Sequence, residues 1–261
     1  ASGVALADLD GDGDKDAIAA MVSGWDVLIN DGNGALARIF HADADVIGNA
    51  TPSALDVDRD GTEELVVLRH DETSATVRVN AYRYVPRARA FAHKQLFEAP
   101  WLTDLVVGDV DDDGRSDVAL LTGEQTELLL LDADGLRHAV VPSTTGQLAL
   151  GDVTGDRLTD LVFGTTWGME VFPRVRDRCD PPPASCEAGD TYAETVKPLR
   201  LSPERMLLGD VNGDLTTDIV LLESTRVGVL LSDTLGRLED AALIPLRSIG
   251  AALADLDDDG G

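Results

Sequence analysis

The chain has 261 residues, 44% of them hydrophobic, and 48 Asp plus Glu against 21 Lys plus Arg, for a formal net charge of −27 at pH 7. Such a balance excludes nucleic acid as the expected partner, because a polyanion needs clustered cations, and it makes a divalent cation the natural counterion. No apolar run approaches the roughly 20 residues that cross a bilayer, so no membrane insertion is expected in this segment.

The first repeat reads as strands over Val4–Ala7, Ala17–Val22, Trp25–Ile29 and Leu36–Phe40, with an acidic loop from Asp8 and a turn over Asn30–Gly34. The second has its acidic loop at Asp56, followed by a longer hairpin, Val77–Tyr84 and Ala88–Leu96, with Tyr82, Tyr84 and several arginines on a locally basic edge. The third runs Leu105–Gly108, the loop Asp109–Asp117, Val118–Leu121, Thr126–Leu131, the turn Asp132–Gly135 and Leu136–Val141. In the fourth, after the loop at Asp152, the connection between the third and fourth strands swells from about Val175 to Gly189. The fifth gives Met206–Gly209, the loop at Asp210, Ile219–Leu222, Val227–Leu231, a turn over Asp233–Gly236 and Leu238–Ile244. A sixth loop opens at Asp255 and is cut at Gly261, before its later acidic residue.

The six loops begin 48, 53, 43, 58 and 45 residues apart, a drifting period of the size that marks repeat architectures. Four antiparallel strands per repeat make a sheet that cannot bury both faces alone, so the expected fold is all-β, a β-propeller in one domain over 1–261. Its repeats start near 4, 52, 105, 148, 206 and 251: five blades and the start of a sixth. The interrupted sixth repeat suggests a fragment of a seven-bladed ring, with roughly 80 further residues in the parent at about 49 per blade.

Each complete loop follows D-x-[DNT]-x-D with an acidic residue at position 9. Ca²⁺ takes six to eight oxygen ligands, and alternate residues of a tight loop supply them, with one backbone carbonyl and a later carboxylate closing the shell. In the first loop the donors are Asp8, Asp10, Asp12 and Asp16, with the carbonyl of Asp14; in the second Asp56, Asp58, Asp60 and Glu64, with Thr62; in the third Asp109, Asp111, Asp113 and Asp117, with Arg115. These three are expected to be the strong sites. The fourth has Asp152, Asp156 and Asp160, with Thr154 at position 3 and Leu158 at the carbonyl position. The fifth has Asp210, Asn212, Asp214 and Asp218, with Thr216. Each of these two loses a negative charge, and each carries Arg157 or Leu215 where the first three have Gly13, Gly61 and Gly114. Weaker binding is expected there, weakest at the fourth loop. Asp255, Asp257 and Asp259 are the donors of the truncated sixth. An EF-hand would need a bidentate Glu at position 12 and flanking helices, but position 12 is Ala19, Val67, Leu120, Phe163 or Leu221, in β-rich runs. Solvated Asp-Gly turns without a metal stay open as the bland alternative.

The loops DLDGDGDKDAIAAM, DVDDDGRSDVALL and DVNGDLTTDIVLL, with the hairpin DVLINDGNGAL, closely resemble the FG-GAP/VCBS repeats of bacterial surface proteins and integrin α-subunit propellers. That resemblance covers essentially the whole chain. It implies a calcium loop joining the first two strands of each blade, with the ion making it rigid. The Phe-Gly signature occurs only at Phe163-Gly164, so a VCBS-like protein is the better match.

Cys179 and Cys186 flank a Pro-rich stretch that a disulfide would staple; two free thiols are the alternative. Calcium loops and a disulfide both point to an extracellular, cell-surface or periplasmic setting. Strand parity puts the calcium loops and the cysteine loop on one face and Trp25, Trp101 and Trp167 near the other, where aromatic platforms suit a protein or glycan ligand. Packing between blades is the other reading of these tryptophans. His41, His70, His93 and His138 lie scattered, and no G-x-S-x-G or H-E-x-x-H occurs. The expected function is therefore a noncatalytic binding or adhesion module. The scaffold of a secreted polysaccharide lyase or hydrolase, or a purely architectural segment, are the alternatives.

Overall fold

The computed structural model describes residues 3–21, 24–43, 53–58, 60–71, 76–122, 125–132, 135–142, 146–165, 168–175, 191–192, 195–197, 204–233 and 237–245, and these hold strands and turns without a helix. The first sheet is β1 (Gly3–Ala7), β2 (Asp16–Met21), β3 (Gly24–Asn30) and β4 (Leu36–Asp43). The second is β5 (Ser53–Leu55), β6 (Glu64–Asp71), β7 (Thr76–Val85) and β8 (Ala90–Ala99). The third is β9 (Asp104–Gly108), β10 (Asp117–Leu121), β11 (Gln125–Asp132) and β12 (Gly135–Pro142). The fourth joins β13 (Gln147–Gly151), β14 (Asp160–Thr165) and β15 (Gly168–Phe172) to β18 (Thr195–Lys197), after a separate pair, β16 (Arg174–Val175) with β17 (Thr191–Tyr192). The fifth is β19 (Arg205–Gly209), β20 (Asp218–Leu222), β21 (Val227–Ser232) and β22 (Leu238–Ile244). Every pairing is antiparallel, and four of the four-stranded sheets are simple meanders, while in the fourth sheet the β16–β17 pair intervenes before β18.

By internal contacts the chain divides into two compact units, Ala1–Gly108 with Ser116–Val140, and Asp109–Arg115 with Val141–Gly261. Within the first, β5 lies against both β1 and β9. Successive side chains of a strand point to opposite faces, and β6 shows the use made of that. Leu65 and Val67 pack with Ala7, Ile18, Trp25 and Val27 of the first sheet and with Leu9 of its acidic loop, whereas Val66 and Leu68 pack with Leu105, Val118 and Leu120 of the third. A sheet covered on both faces needs a second strand without polar alternation, which is why that strand reads as a continuous apolar run. Each side chain as buried as Ile18 or Leu65, at 0% exposure, contributes roughly 1.5–3 kcal/mol.

In the second unit β14 and β20 are buried along their whole length, and Val153, Val162, Met169 and Val171 pack against Ile219, Leu221 and Leu230. Gly146, just before β13, is pressed against β14: a Cβ there would stand 2.1 Å from the carbonyl oxygen of Gly164. The three nearest atoms are all backbone of β14, which leaves nothing flexible to yield. Gly146→Ala is expected to destabilise the chain by about 2 kcal/mol or more, read as a lower urea midpoint at unchanged slope.

Two expectations shift. Ala88 does not begin the fourth strand of the second sheet; residues 86–89 form a turn in which the Ala88 and Arg89 amides donate to the carbonyls of Val85 and Pro86, with Arg89 at φ 49°. Pro86 has no amide to give a ladder, so the hairpin closes there. In the fourth sheet the swollen connection is opened by the two-residue pair β16–β17, and the fourth slot falls to β18.

Candidate metal centres

The loop leaving the first strand of each sheet is folded by its own carboxylates. The Asp at position 1 accepts a hydrogen bond from the amide at position 6 in all five described loops: Asp8 from Gly13 (3.0 Å), Asp56 from Gly61 (3.0 Å), Asp109 from Gly114 (2.8 Å), Asp152 from Arg157 (2.7 Å) and Asp210 from Leu215 (2.7 Å). At position 5, Asp12, Asp60, Asp113, Asp156 and Asp214 each accept from the amide two residues on, at 2.9–3.0 Å. The second is an Asx-type contact that a short carboxylate makes with the backbone two residues on, and the first reaches five residues on to close the loop. Position 6 stands in the left-handed region throughout, at φ 93°, 88° and 85° for Gly13, Gly61 and Gly114 and at 67° and 69° for Arg157 and Leu215. The last two loops thus make the same turn without glycine, at a strain of roughly 1 kcal/mol each.

Position 9 ties the loop to the sheet. Asp16 accepts from Leu9 N and Asn30 N (both 2.8 Å), Asp160 from Val153 N (3.0 Å) and Arg174 N (3.0 Å), and Asp218 from Val211 N (3.0 Å) and Ser232 N (2.8 Å). Asp117 accepts from Leu131 N at 2.7 Å. The strand partner is always 14 residues further on, and these four carboxylates are 0–1% exposed.

Carboxylates at positions 1, 3 and 9 also converge. Asp8, Asp10 and Asp16, then Asp56, Asp58 and Glu64, then Asp109, Asp111 and Asp117 each bring one oxygen per residue within 4.8 Å of the others. Position 5 stays outside these groups. The donor set is all hard oxygen, as Ca²⁺ prefers. Oδ1 of Asp10 and Oε1 of Glu64 are shut off from solvent without a hydrogen-bond donor, and Glu64 is only 4% exposed. A buried carboxylate oxygen facing other carboxylates lacks a cation, and the groups fit a metal ion on that ground.

The electrostatics agree. Burial, and then the neighbouring Asp16 and Asp12, push the Asp10 carboxyl up, and burial raises Asp16. Burial in the first place, with the charges of Asp58 and Asp56 adding to it, pushes Glu64 up to about 7. Since that folded value lies above the ordinary 4.5, the protonated loop stabilises the metal-free chain fully below about 4.5, and the contribution, on the order of 3 kcal/mol, is lost as pH rises through about 7. Metal-free protein is therefore expected to melt higher at pH 5 than at pH 8. Glu64→Gln will flatten that slope in a series of melting curves recorded in chelator.

The fourth and fifth loops do not assemble such a trio of acids. Thr154 and Asn212 hold position 3, and the Asn212 side-chain amide donates to Asp214 Oδ2 at 3.0 Å, an internal substitute for a cation. Asp160, pushed up to about 6 by burial, is held by the Val153, Thr154 and Arg174 amides. Asp255, Asp257, Asp259, Cys179, Cys186 and Trp167 lie outside the described residues.

Three charged residues beyond the repeat pattern also reach the loops. Glu63 accepts from the Asp8 amide (2.7 Å) and pairs with Lys15 (2.7 Å), tying the first loop to the second. Arg83 bridges Asp58 (2.6 Å) and Asp60. Arg174, 6% exposed, pairs with Asp112 and donates to the Asp111 carbonyl (2.8 Å), while Thr159 Oγ1 donates to Asp112 at 3.1 Å. All three depend on which strands become neighbours, so loop spacing carried no sign of them. Trp25 is 5% exposed and packs on Phe40, Tyr82 and Phe91, which makes it a core residue between sheets; Trp101 is 72% exposed. His138 pairs with Glu127, and His93 lies 5.7 Å from the Tyr82 ring.

No family model matches this chain, and no curated protein matches it. Among solved structures it is similar to the periplasmic gluconolactonase of Pseudomonas aeruginosa, at TM-score 0.55 and 14% identity over 90% of this chain and 68% of that one. It is also similar to Sqt1 from Chaetomium thermophilum, at TM-score 0.50 and 16% identity over 94% of this chain and 61% of that one. The fold is a β-propeller. An Agrocybe aegerita lectin that recognises non-reducing terminal N-acetylglucosamine matches at TM-score 0.47 and 15% identity, over 94% of this chain and 79% of that one. At these identities the likeness concerns the propeller fold alone. The propeller has five described blades, and its three acidic groups lie where the first strand of the first, second and third blades gives way to the second.

Proposed function

We propose that this propeller is a noncatalytic, calcium-stabilised recognition module of the FG-GAP/VCBS type, working at a cell surface, in the periplasm or outside the cell. The observation that carries the reading is the convergence of carboxylates at positions 1, 3 and 9 in three loops, with the buried Oε1 of Glu64 lacking any donor. Asp8, Asp10 and Asp16, Asp56, Asp58 and Glu64, and Asp109, Asp111 and Asp117 would hold the ions. Bound calcium would supply charge neutralisation and a fixed loop shape; the chain's own carboxylates already cap the turn that presents it. Calcium suits these sites better than Mg²⁺, because Ca²⁺ accepts six to eight oxygens in irregular geometry, whereas Mg²⁺ demands a near-ideal octahedron and gives up its waters reluctantly. Among the described tryptophans, the exposed indole of Trp101 is the aromatic candidate for a protein or glycan ligand.

Calorimetric titration of chelator-stripped protein, followed by glycan and protein arrays in calcium, tests the reading. Three bound ions and retention of a ligand without turnover are expected. Absence of bound calcium would overturn the metal reading, and turnover of an array polysaccharide would move the function to an enzyme scaffold.

A further inference from the structure

The second loop differs from its siblings in what stands beside it. In the ladder between β6 and β7, Leu65 is opposite Tyr82, so the next step sets Glu64 opposite Arg83. The same step in the other blades reaches Ile29, Leu130, Pro173 and Leu231, all without charge. The backbone step is common to the blades, so what sets the second loop apart is the arginine that stands there. There its guanidinium spans two carboxylates, Asp58 through Nη1 at 2.6 Å and Asp60 through Nη2. Asp58 is also a member of the acidic group with Asp56 and Glu64, and it is exposed where Asp10 and Asp111 are half-buried. A cation from the chain itself thus sits on a carboxylate that a metal would need, while the buried Glu64 Oε1 behind it is left without a donor.

We infer that Arg83 is an intramolecular counterion that holds Asp58 and Asp60 in the metal-free second loop and has to release Asp58 before a metal ion can bind there. The inference rests on the calcium reading of the loops and adds to it a rank order: the second loop fills after the first. Its physical basis is competition. Arg83 is 41% exposed along its side chain and Asp58 43%, so the guanidinium has water to withdraw into, and the pair is of the modest strength of partly solvated ion pairs. Two contacts of that strength amount to roughly a three- to tenfold penalty on metal affinity. In the metal-free chain the same contacts relieve repulsion among four carboxylates, Asp56, Asp58, Asp60 and Glu64, so the arginine that weakens metal binding also steadies the empty loop.

The glycine amides at position 6 make the test specific to each loop, because Gly13, Gly61 and Gly114 each donate to the first Asp of their own loop. Their cross-peaks are followed by NMR during calcium titration of the whole chain, in wild type, Arg83→Gln and Arg83→Lys. In Arg83→Gln the Gly61 midpoint should fall to roughly a third to a tenth of the wild-type calcium concentration, with Gly13 and Gly114 unmoved and the metal-free melting temperature lowered. Arg83→Lys, which keeps the charge but loses the planar fork, should fall between, and it preserves the test if the glutamine variant folds poorly. A Gly61 midpoint that stays put or rises while Gly13 titrates normally would overturn the role of Arg83 alone. If none of the three amides responds, the calcium reading fails first and this inference with it.

Discussion

Calcium added to chelator-stripped protein will raise the melting temperature by on the order of 15–30 °C. Each ion that binds the folded chain alone stabilises it by mass action, about 2.7 kcal/mol at a hundredfold excess over its dissociation constant, and three independent sites would together supply roughly 8 kcal/mol. In a chain of this size 1 kcal/mol moves the melting point by about 2–4 °C. The three acidic groups are what make the effect large: each confines three carboxylates within 4.8 Å, and two of the oxygens, on Asp10 and Glu64, have no other partner. Without a cation those charges repel in partly desolvated surroundings, so the metal-free chain starts from a destabilised reference. Asp10→Asn and Asp111→Asn should each remove about a third of the rise while changing the melting of the metal-free protein little or upward, since each deletes a repelling charge. Magnesium at the same concentration should give a much smaller shift. A melting point indifferent to calcium, with wild-type and variant curves superimposed, would reduce the acidic loops to turns.

Much of the blade architecture is legible in the residues because each loop writes its own turn. The D-x-D spacing places a carboxylate where position 6 or 7 presents an amide, and the same contacts recur with Gly13, Gly61 and Gly114 and with Arg157 and Leu215. Strand boundaries in the third and fifth blades came within one or two residues for the same reason: the position-9 acid opens the second strand in both. What stayed illegible lies across strands. Arg83 and Arg174 carry no local motif, and their partners, 23 to 63 residues away, are set by which strands and loops become neighbours. Trp25 shows the same limit from the apolar side. Its place at a strand start left a ligand platform and packing between blades both open, and the Phe40, Tyr82 and Phe91 rings that decide for packing come from other strands.

The position-9 acid raises a question that calcium alone does not answer, since Asp160 and Asp218 keep the clasp in loops that lack the acidic trio. Asp160→Ala is expected to cost about 3–5 kcal/mol, among the largest single effects in this chain. Its two oxygens accept from three backbone amides, Val153 (3.0 Å), Thr154 (3.1 Å) and Arg174 (3.0 Å), and the side chain is 0% exposed. Alanine leaves those donors without an acceptor in a space water does not reach, at roughly 1 kcal/mol or more for each. Asp160→Asn keeps one oxygen and should recover a part of the loss. It sheds the cost of holding a buried charge at neutral pH, which has already pushed the acid up to about 6. The decisive comparison is the urea midpoint with and without calcium. The Asp160→Ala penalty should be nearly the same in both, because its work is done on amides, whereas the Asp10→Asn effect should appear mainly when calcium is present. A penalty at Asp160 that vanished in chelator would make the residue a metal ligand first and a clasp second. A penalty below 1 kcal/mol would mean that the loop's amides find other acceptors once the carboxylate is gone.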